Sequence, residues 1–293
     1  MSLFRYPGGK GKMRTQILSR IGVFYDINGF DFEFREPFFG AGAIGLTLLN
    51  EDRIDKVWIN DFDPSIAAIW TSVIMYPEEL CEKITQYIPS TQSFFSLKNE
   101  LLKTGREIDD IVEMGFKKLA IHQISYSGLG TKAGGPLGGK GQGSIYDVGC
   151  RWTPDNLRKE VKEFHKLLSK KEIRYGKCTD FDFEEVISDK GSCFLYVDPP
   201  YYHKGPELYQ YHFTLKDHNR LAGLLREVDC PWLLSYDDCP EIRRMYSWAE
   251  MIDFSMIYTI NKAREKNELL IAPNKELLWD AVETDLFDEQ YDG

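Results

Sequence analysis

Short apolar runs recur along the chain, and several of them stop at an acid. DFEFREPF (residues 31–38) alternates enough to predict a strand, and FGAGAIGLTLLN follows as a glycine turn opening a helix. VWIND (57–61) predicts a second strand ending in acid. Asp63-Pro64-Ser65 then starts an apolar helix, IAAIWTSVI, because the fixed φ of Pro64 suits a first helical turn. Strand, glycine turn, helix, strand and acid make a βαβ unit. The pattern changes near Tyr76-Pro77. Residues 77–123 read as helical with mixed charge. SYSGLGTKAGGPLGGKGQGS (125–144) is too rich in glycine for a core and reads as a flexible, ligand-shaped loop. PDNLRKEVKEFHKLLSK (154–170) predicts a basic amphipathic helix. Strand-like runs resume at 173–181, 194–201, 231–238, 253–260 and 267–273, and the last two suit an antiparallel hairpin. No internal repeat is visible. The expected architecture is a single α/β domain in two sequence pieces, 1–76 and 173–293, with an insertion at 77–172.

Composition narrows the class only slightly. The 293 residues are 43% hydrophobic and 28% charged, as in an ordinary soluble globular protein. No apolar run approaches the ~18–20 residues of a membrane span, and the basic N-terminus lacks the apolar segment of a signal peptide. No membrane partner is expected. Six cysteines lie scattered without a CxxC pair, so they read as reduced thiols of a cytoplasmic protein rather than a metal or disulfide framework. The net charge of -10 argues at first against a polyanionic partner. Its distribution argues otherwise. Residues 1–20 carry five Lys or Arg and no acid, and residues 116–171 carry eleven Lys or Arg against four acids. Residues 276–293 carry seven acids and no base. Local patches decide such binding more than the total does.

Gly40-Ala-Gly42-Ala-Ile-Gly45 is a GxGxxG in the context the motif needs, after a strand and opening a helix. Asp61 ends the next strand, near the ~20-residue offset of an acid that holds ribose hydroxyls. NAD and S-adenosylmethionine both present adenosine, so the motif does not choose between them. Arg5-Tyr6-Pro7-Gly8-Gly9-Lys10 is a second glycine turn, and Lys10 suits a ligand carboxylate. Asp180 and Phe181 end a further strand with an acceptor and a flat ring for an adenine. Asp198-Pro199-Pro200-Tyr201 is the most specific feature. Proline cannot continue a strand ladder, so the strand stops at Asp198, at the sheet edge where open α/β folds bind ligands. Adenine N6 is a poor nucleophile because its lone pair is delocalised. A carboxylate and a stiffly held backbone carbonyl that accept its N–H bonds draw that pair out of conjugation and orient it. Tyr201 offers a face on which an extruded base can stack. His203, His212 and His218 are too irregularly placed for a zinc site and read as loop or helix surface. No metal is expected.

These segments together resemble the Dam-type N6-adenine DNA methyltransferases, in which cofactor motifs precede the target-recognition insertion and DPPY comes late. The resemblance rests on RYPGGK (5–10), EPFFGAGAIG (36–45), NDFDP (60–64), TDF (179–181), DPPYY (198–202) and YHFTLKDHNRLAGLL (211–225). It implies a Rossmann-like methyltransferase sheet, mostly parallel with an antiparallel C-terminal hairpin. It also implies a mainly helical DNA-recognition insertion at 77–172. S-adenosylmethionine is the implied cofactor, held by Tyr6, Lys10, Phe39, Gly40, Gly42, Asp61, Phe62, Asp180, Phe181 and Asp198. Asp198, Pro199, Pro200 and Tyr201 would take the target adenine, flipped from double-stranded DNA. Tyr126, Lys132, Lys140, Arg151 and Arg158 are candidate DNA contacts in the insertion. A cognate restriction endonuclease is a possible partner of such an enzyme. Other readings stay open at this point: an NAD-dependent oxidoreductase, a binding-only module on the same fold, or an RNA or cytosine acceptor.

Overall fold

The computed structural model describes residues 2–6, 11–29, 31–143, 145–175, 182–258 and 264–278. Its strands are β1 Glu33–Glu36, β2 Lys56–Ile59, β3 Glu172–Tyr175, β4 Cys193–Val197, β5 Trp232–Asp237, β6 Glu250–Tyr258 and β7 Arg264–Ala272. They form one seven-stranded sheet in the order β3-β2-β1-β4-β5-β7-β6. The pairs from β3 to β5 are parallel, whereas β7 runs antiparallel to both β5 and β6. Every residue of β4 and β5 is buried. Strands covered on both faces read as continuous apolar runs, which is why these two were legible in the sequence.

The pleat divides the core. Phe194, Tyr196, Leu233, Leu270 and Ala272 join one hydrophobic cluster with Val57 and Ile59. Cys193, Leu195, Val197, Trp232, Leu234, Leu269 and Ile271 join a second. Alternate residues of a strand point to opposite faces, so each face carries its own layer.

The helices are α1 Gly11–Asn28, α2 Gly45–Asn50, α3 Pro64–Met75, α4 Pro77–Gln86, α5 Thr91–Lys103, α6 Ile111–Ile124, α7 Pro154–Leu168, α8 Phe183–Ser188, α9 Gly205–Leu208, α10 Leu215–Glu227 and α11 Pro240–Met245. Local chemistry sets several of their starts. Asp63 caps α3 by accepting from the Ser65 N–H, with Pro64 in the first turn. Ser90 with Ser93 and Thr214 with Asp217 form reciprocal caps on α5 and α10. Sequence reading missed α1. Its buried residues Met13, Ile17, Ile21 and Phe24 have helical spacing, next to glycines and basic residues that masked the signal.

The segment 77–172 supplies α4 to α7. Their side chains Leu80, Phe94, Phe116, Leu119, Val161 and Phe164 lie in the same cluster as Val57, Ile59 and Trp70 of the sheet and α3. One departure from the sequence expectation concerns His218. It is not surface but buried in α10, with Nδ1 bonded to the Tyr236 hydroxyl. Burial depresses its pKa to about 4, so it is neutral at physiological pH.

Candidate active site at the carboxyl edge of the sheet

The chain leaves β1 toward β2 on one side, and β4 lies against the other side of β1. That reversal of strand order opens a crevice beyond the carboxyl ends of β1 and β4. Glu36, Asp61, Asp198 and Asp237 sit at or just past the ends of β1, β2, β4 and β5. A cleft with about 640 Å³ of empty space, partly open to solvent, lies there. Its lining includes Tyr6, Phe39, Gly40, Asp61, Phe62, Asp198, Pro200 and Tyr209.

The loop after β1 requires glycine at two positions. Gly40 and Gly42 have φ of 51° and 70°, the left-handed region that side chains disfavour. A Cβ at Gly42 would also stand 2.7 Å from the Phe39 ring and 2.6 Å from Leu46. A Cβ at Gly40 would stand 3.1 Å from the Tyr6 ring. Trp70 fixes the loop by donating from Nε1 to the Gly40 carbonyl at 2.8 Å. Glu36, almost fully buried, accepts from the Gly45 N–H at 3.0 Å where α2 begins. Burial first, and then the charges of Asp198 and Asp61, hold its carboxyl well above the usual range, against the Gly45 bond that lowers it.

Asp61 locks the same loop from the next strand. Its Oδ2 accepts from the Gly40 N–H at 2.7 Å and its Oδ1 from the Asp63 N–H at 2.8 Å. Burial and then the neighbouring Asp63 charge raise its pKa to about 7. Asp63 behaves oppositely. Burial alone would raise it, but the Lys118 ammonium, 2.6 Å away, and the Ser65 bonds bring it below the ordinary value. Lys118 comes from α6, so a buried ion pair joins the loop after β2 to the segment 77–172.

Pro199 and Pro200 are buried and Asp198 and Tyr201 half-buried at the turn after β4. The turn is held from the adjacent strands. Asp237 accepts the Tyr202 N–H at 2.9 Å and the His203 N–H at 3.1 Å. The Tyr201 hydroxyl donates to Glu268 at 2.9 Å, and its ring lies 5.9 Å from that of Tyr236. Glu268 pairs directly with Asp237 across β7 and β5. Neither acid was singled out from sequence. Asp237 ends an apolar run as Asp61 does, a usable signal, whereas Glu268 had none.

The segment after this turn is tied to 77–172. Lys132 donates to the Pro206 carbonyl at 2.8 Å, Thr131 to Gln210 at 3.0 Å, and Gln210 to the Leu101 carbonyl at 2.8 Å. The Arg106 guanidinium lies 4.3 Å from the Phe62 ring and 5.1 Å from that of Tyr211. Tyr209 stacks obliquely on Tyr6, 5.5 Å between ring centres.

The structure thus brings Tyr6, Phe39, Gly40, Asp61, Phe62, Asp198 and Pro200 to one cleft. Lys10, Asp180 and Phe181 fall outside the described residues. The candidate DNA contacts do not form one cluster of like environments. Tyr126 is exposed, and Lys140 is exposed with its ammonium 5.8 Å from the Phe95 ring. Arg151 is half-buried, and Arg158 faces Asp155 at 3.7 Å on α7. Cys193 is fully buried, and its neighbour Cys230 together with burial push its thiol far up, so it is no nucleophile. Among the described residues, no helix is long and apolar enough to cross a membrane.

Comparison with known proteins gives a concordant result. Residues 6–260 match the family described as D12 class N6 adenine-specific DNA methyltransferase. The chain is also 25% identical over 247 residues to the Type II methyltransferase M.MjaIII of Methanocaldococcus jannaschii, covering 77% of this chain and 79% of that protein.

Proposed function

Because the chain belongs to the D12 class N6 adenine-specific DNA methyltransferases, and so methylates adenine in DNA, we propose how its own residues divide that task. The observation that carries the proposal is the convergence of Gly40, Ala41, Asp61, Asp198 and Pro200 on one cleft at the strand-order reversal. The methyl donor is S-adenosylmethionine, which supplies an electrophilic methyl group when bound. The chain fits it. Gly40 and Ala41 line the cleft with bare or nearly bare backbone, Tyr6 and Phe39 flank them, and Asp61 is an acceptor for ribose hydroxyls. Lys10 is assigned to the donor's carboxylate, and Asp180 with Phe181 to its adenine, with Phe62 beside them.

Asp198 and the Pro199 carbonyl accept the N6–H bonds of the target adenine and orient its lone pair. Pro200 stiffens the turn. Tyr201 stacks on the base after it has left double-stranded DNA. The segment 77–172 is the target-recognition region, set against the catalytic pieces 1–76 and 173–293. Tyr126, Lys132, Lys140, Arg151 and Arg158 are its proposed DNA contacts. Lys132 donates to the Pro206 carbonyl and would exchange that bond on contacting DNA. The setting is cytoplasmic, and the Type II relative suggests a cognate endonuclease as partner. The glycine loop by itself also suits NAD, but hydride transfer leaves the DPPY turn without a role.

Long-read sequencing of plasmid DNA from methylation-free cells expressing the chain tests this reading. N6-methyladenine at one short motif supports a site-specific enzyme acting on duplex DNA. Unmodified DNA from folded, expressed protein overturns it and directs the search to an RNA acceptor.

Two predictions arise from the geometry. Donor hydroxyls bind the ionised form of Asp61 better than the neutral form. With its pKa raised to about 7, cofactor affinity should rise with pH up to about 7 and level off above it. Below that value affinity should fall by up to about tenfold per pH unit. For folding the sign is opposite, since a raised carboxyl pKa favours the native state most below its unfolded value and that benefit is lost as pH rises toward 7. Calorimetry of S-adenosylmethionine binding at pH 6 and 8 in two buffers should find proton release at pH 6 and little at pH 8. Equal affinities without proton release would remove Asp61 from the ribose site.

Glu268 is a positioning residue acting through Tyr201. Glu268→Ala should raise KM for DNA about tenfold, a part of the ~1–3 kcal/mol that base stacking on an aromatic ring is worth. Glu268→Gln keeps an acceptor and should retain most of the affinity. Cofactor binding should be unchanged in both. Fluorescence of 2-aminopurine at the target position reads base extrusion directly, and equal extrusion in wild type and Glu268→Ala would refute the role.

A further inference from the structure

The turn that carries Tyr201 also brings together three side chains that the methylation chemistry does not use. His203 follows the DPPYY run, Cys239 immediately precedes α11, and Glu241 lies in its first turn. One potential ligand atom from each lies within 4.8 Å of the other two. His203 Nε2 stands 3.6 Å from Glu241 Oε2. That oxygen is shielded from solvent and has no hydrogen-bond partner among the described residues. Tetrahedral zinc with bonds of about 2.0–2.3 Å separates its ligand atoms by roughly 3.3–3.8 Å, so the histidine–glutamate pair is already at that spacing.

The backbone fixes two of these ligands independently of any metal. Both carboxylate oxygens of Asp237 hold the backbone N–H groups of Tyr202 and His203, which sets the turn beside β5. Cys239 is buried at the start of α11, and its carbonyl accepts from the Arg243 N–H. His203 is the exposed member, with 60% of its side chain open to solvent.

We propose that His203, Cys239 and Glu241 form a zinc site that clamps the DPPYY turn to α11. The donor set is thiolate, imidazole and carboxylate, with water in the fourth position. Binding is charge-neutral at the ligands: Zn²⁺ displaces one proton, from the Cys239 thiol, and meets one thiolate, one carboxylate and a neutral imidazole. The site is separate from the base-binding face. It acts on the segment that begins two residues after Tyr201 and holds that segment's exit direction.

The test is zinc binding to the purified full-length protein, by competition with a chromophoric chelator. One equivalent should bind tightly. His203→Ala, at an exposed position where folding is not at risk, should weaken that binding by about 100-fold, at the upper end of what even supporting contacts of metal ligands contribute. Cys239→Ser should do the same, and serine is a good residue at a helix start. Cobalt(II) in place of zinc should give thiolate-to-metal absorption that disappears in Cys239→Ser and persists in Cys150→Ser. Absence of a stoichiometric tight site, or equal affinity in His203→Ala, overturns the proposal. Cobalt absorption lost in Cys150→Ser rather than Cys239→Ser would place the metal elsewhere and overturn it too. Both readouts are independent of methyl transfer, so failure of the zinc site leaves the proposed function standing.

Discussion

Asp198→Ala is expected to lower methyl transfer to DNA by about 10²–10³-fold, the scale of losing an oriented electrostatic partner of the reacting group. Asp198 lies where β4 ends, with buried prolines behind it and Tyr201 held by Glu268 beyond it. Removing the carboxylate takes away one acceptor of the N6–H bonds while the turn itself stays pinned through Asp237. The variant should therefore unfold at or above the wild-type temperature. After burial, the Asp198 charge is one of the causes that raise the buried Glu36 carboxyl, so its loss removes a like-charge neighbour of that acid. Labelled-methyl transfer to plasmid DNA measures the loss, and the circular-dichroism melt checks the fold. Methylation within tenfold of wild type in a folded variant would exclude Asp198 from the chemistry.

Lys118→Met is expected to cost about 3–5 kcal/mol of stability, because it leaves the Asp63 carboxylate buried without its cation. The side chains of Lys118 and Asp63 are 4% and 6% exposed and meet at 2.6 Å. For a chain of this size the melting temperature should fall by roughly 6–20 °C. The effect has a pH signature. In the wild type, Lys118 lowers the Asp63 carboxyl, so the pair stabilises above the usual carboxylate range and loses its benefit as pH falls through the depressed value. Without Lys118, burial dominates and raises that carboxyl, so the variant's deficit should be largest near neutral pH and shrink toward pH ~4. Cofactor affinity should also drop, since the Asp63 N–H donates to Asp61 and Asp61 holds Gly40. Replacing both partners, as in Lys118→Met with Asp63→Asn, should recover part of the stability. A melting temperature unchanged in Lys118→Met would show that the pair carries no net stability.

How much of this could be read before the fold was known depends on distance along the chain. The glycine loop at 40–45, Asp61 and the DPPY turn were legible because each is a local event. A strand ends, a residue type fixes φ or lacks an N–H, and an acid follows within a few positions. The sheet's mixed character was legible for the same reason, from apolar runs of strand length. Helix α1 was not, because its apolar residues sit behind a glycine turn and among basic residues. What pairs across the chain had no local trace. Lys118 lies 55 positions from Asp63, and Glu268 lies 67 from Tyr201. His203 sits in a turn, Cys239 and Glu241 at a helix start, and none of them marks the others.

The sequence by itself therefore determined the α/β fold class and the family, since those rest on residue types at short spacing. The tertiary structure alone decided which acids are neutral and which are charged. Asp61 and Asp63 are two residues apart in the same motif, yet one titrates near 7 and the other below its ordinary value. The difference comes from the Lys118 ammonium, delivered from another helix, together with the Ser65 bonds. Burial and partner charge set a carboxyl's proton affinity, and both are properties of the packed chain.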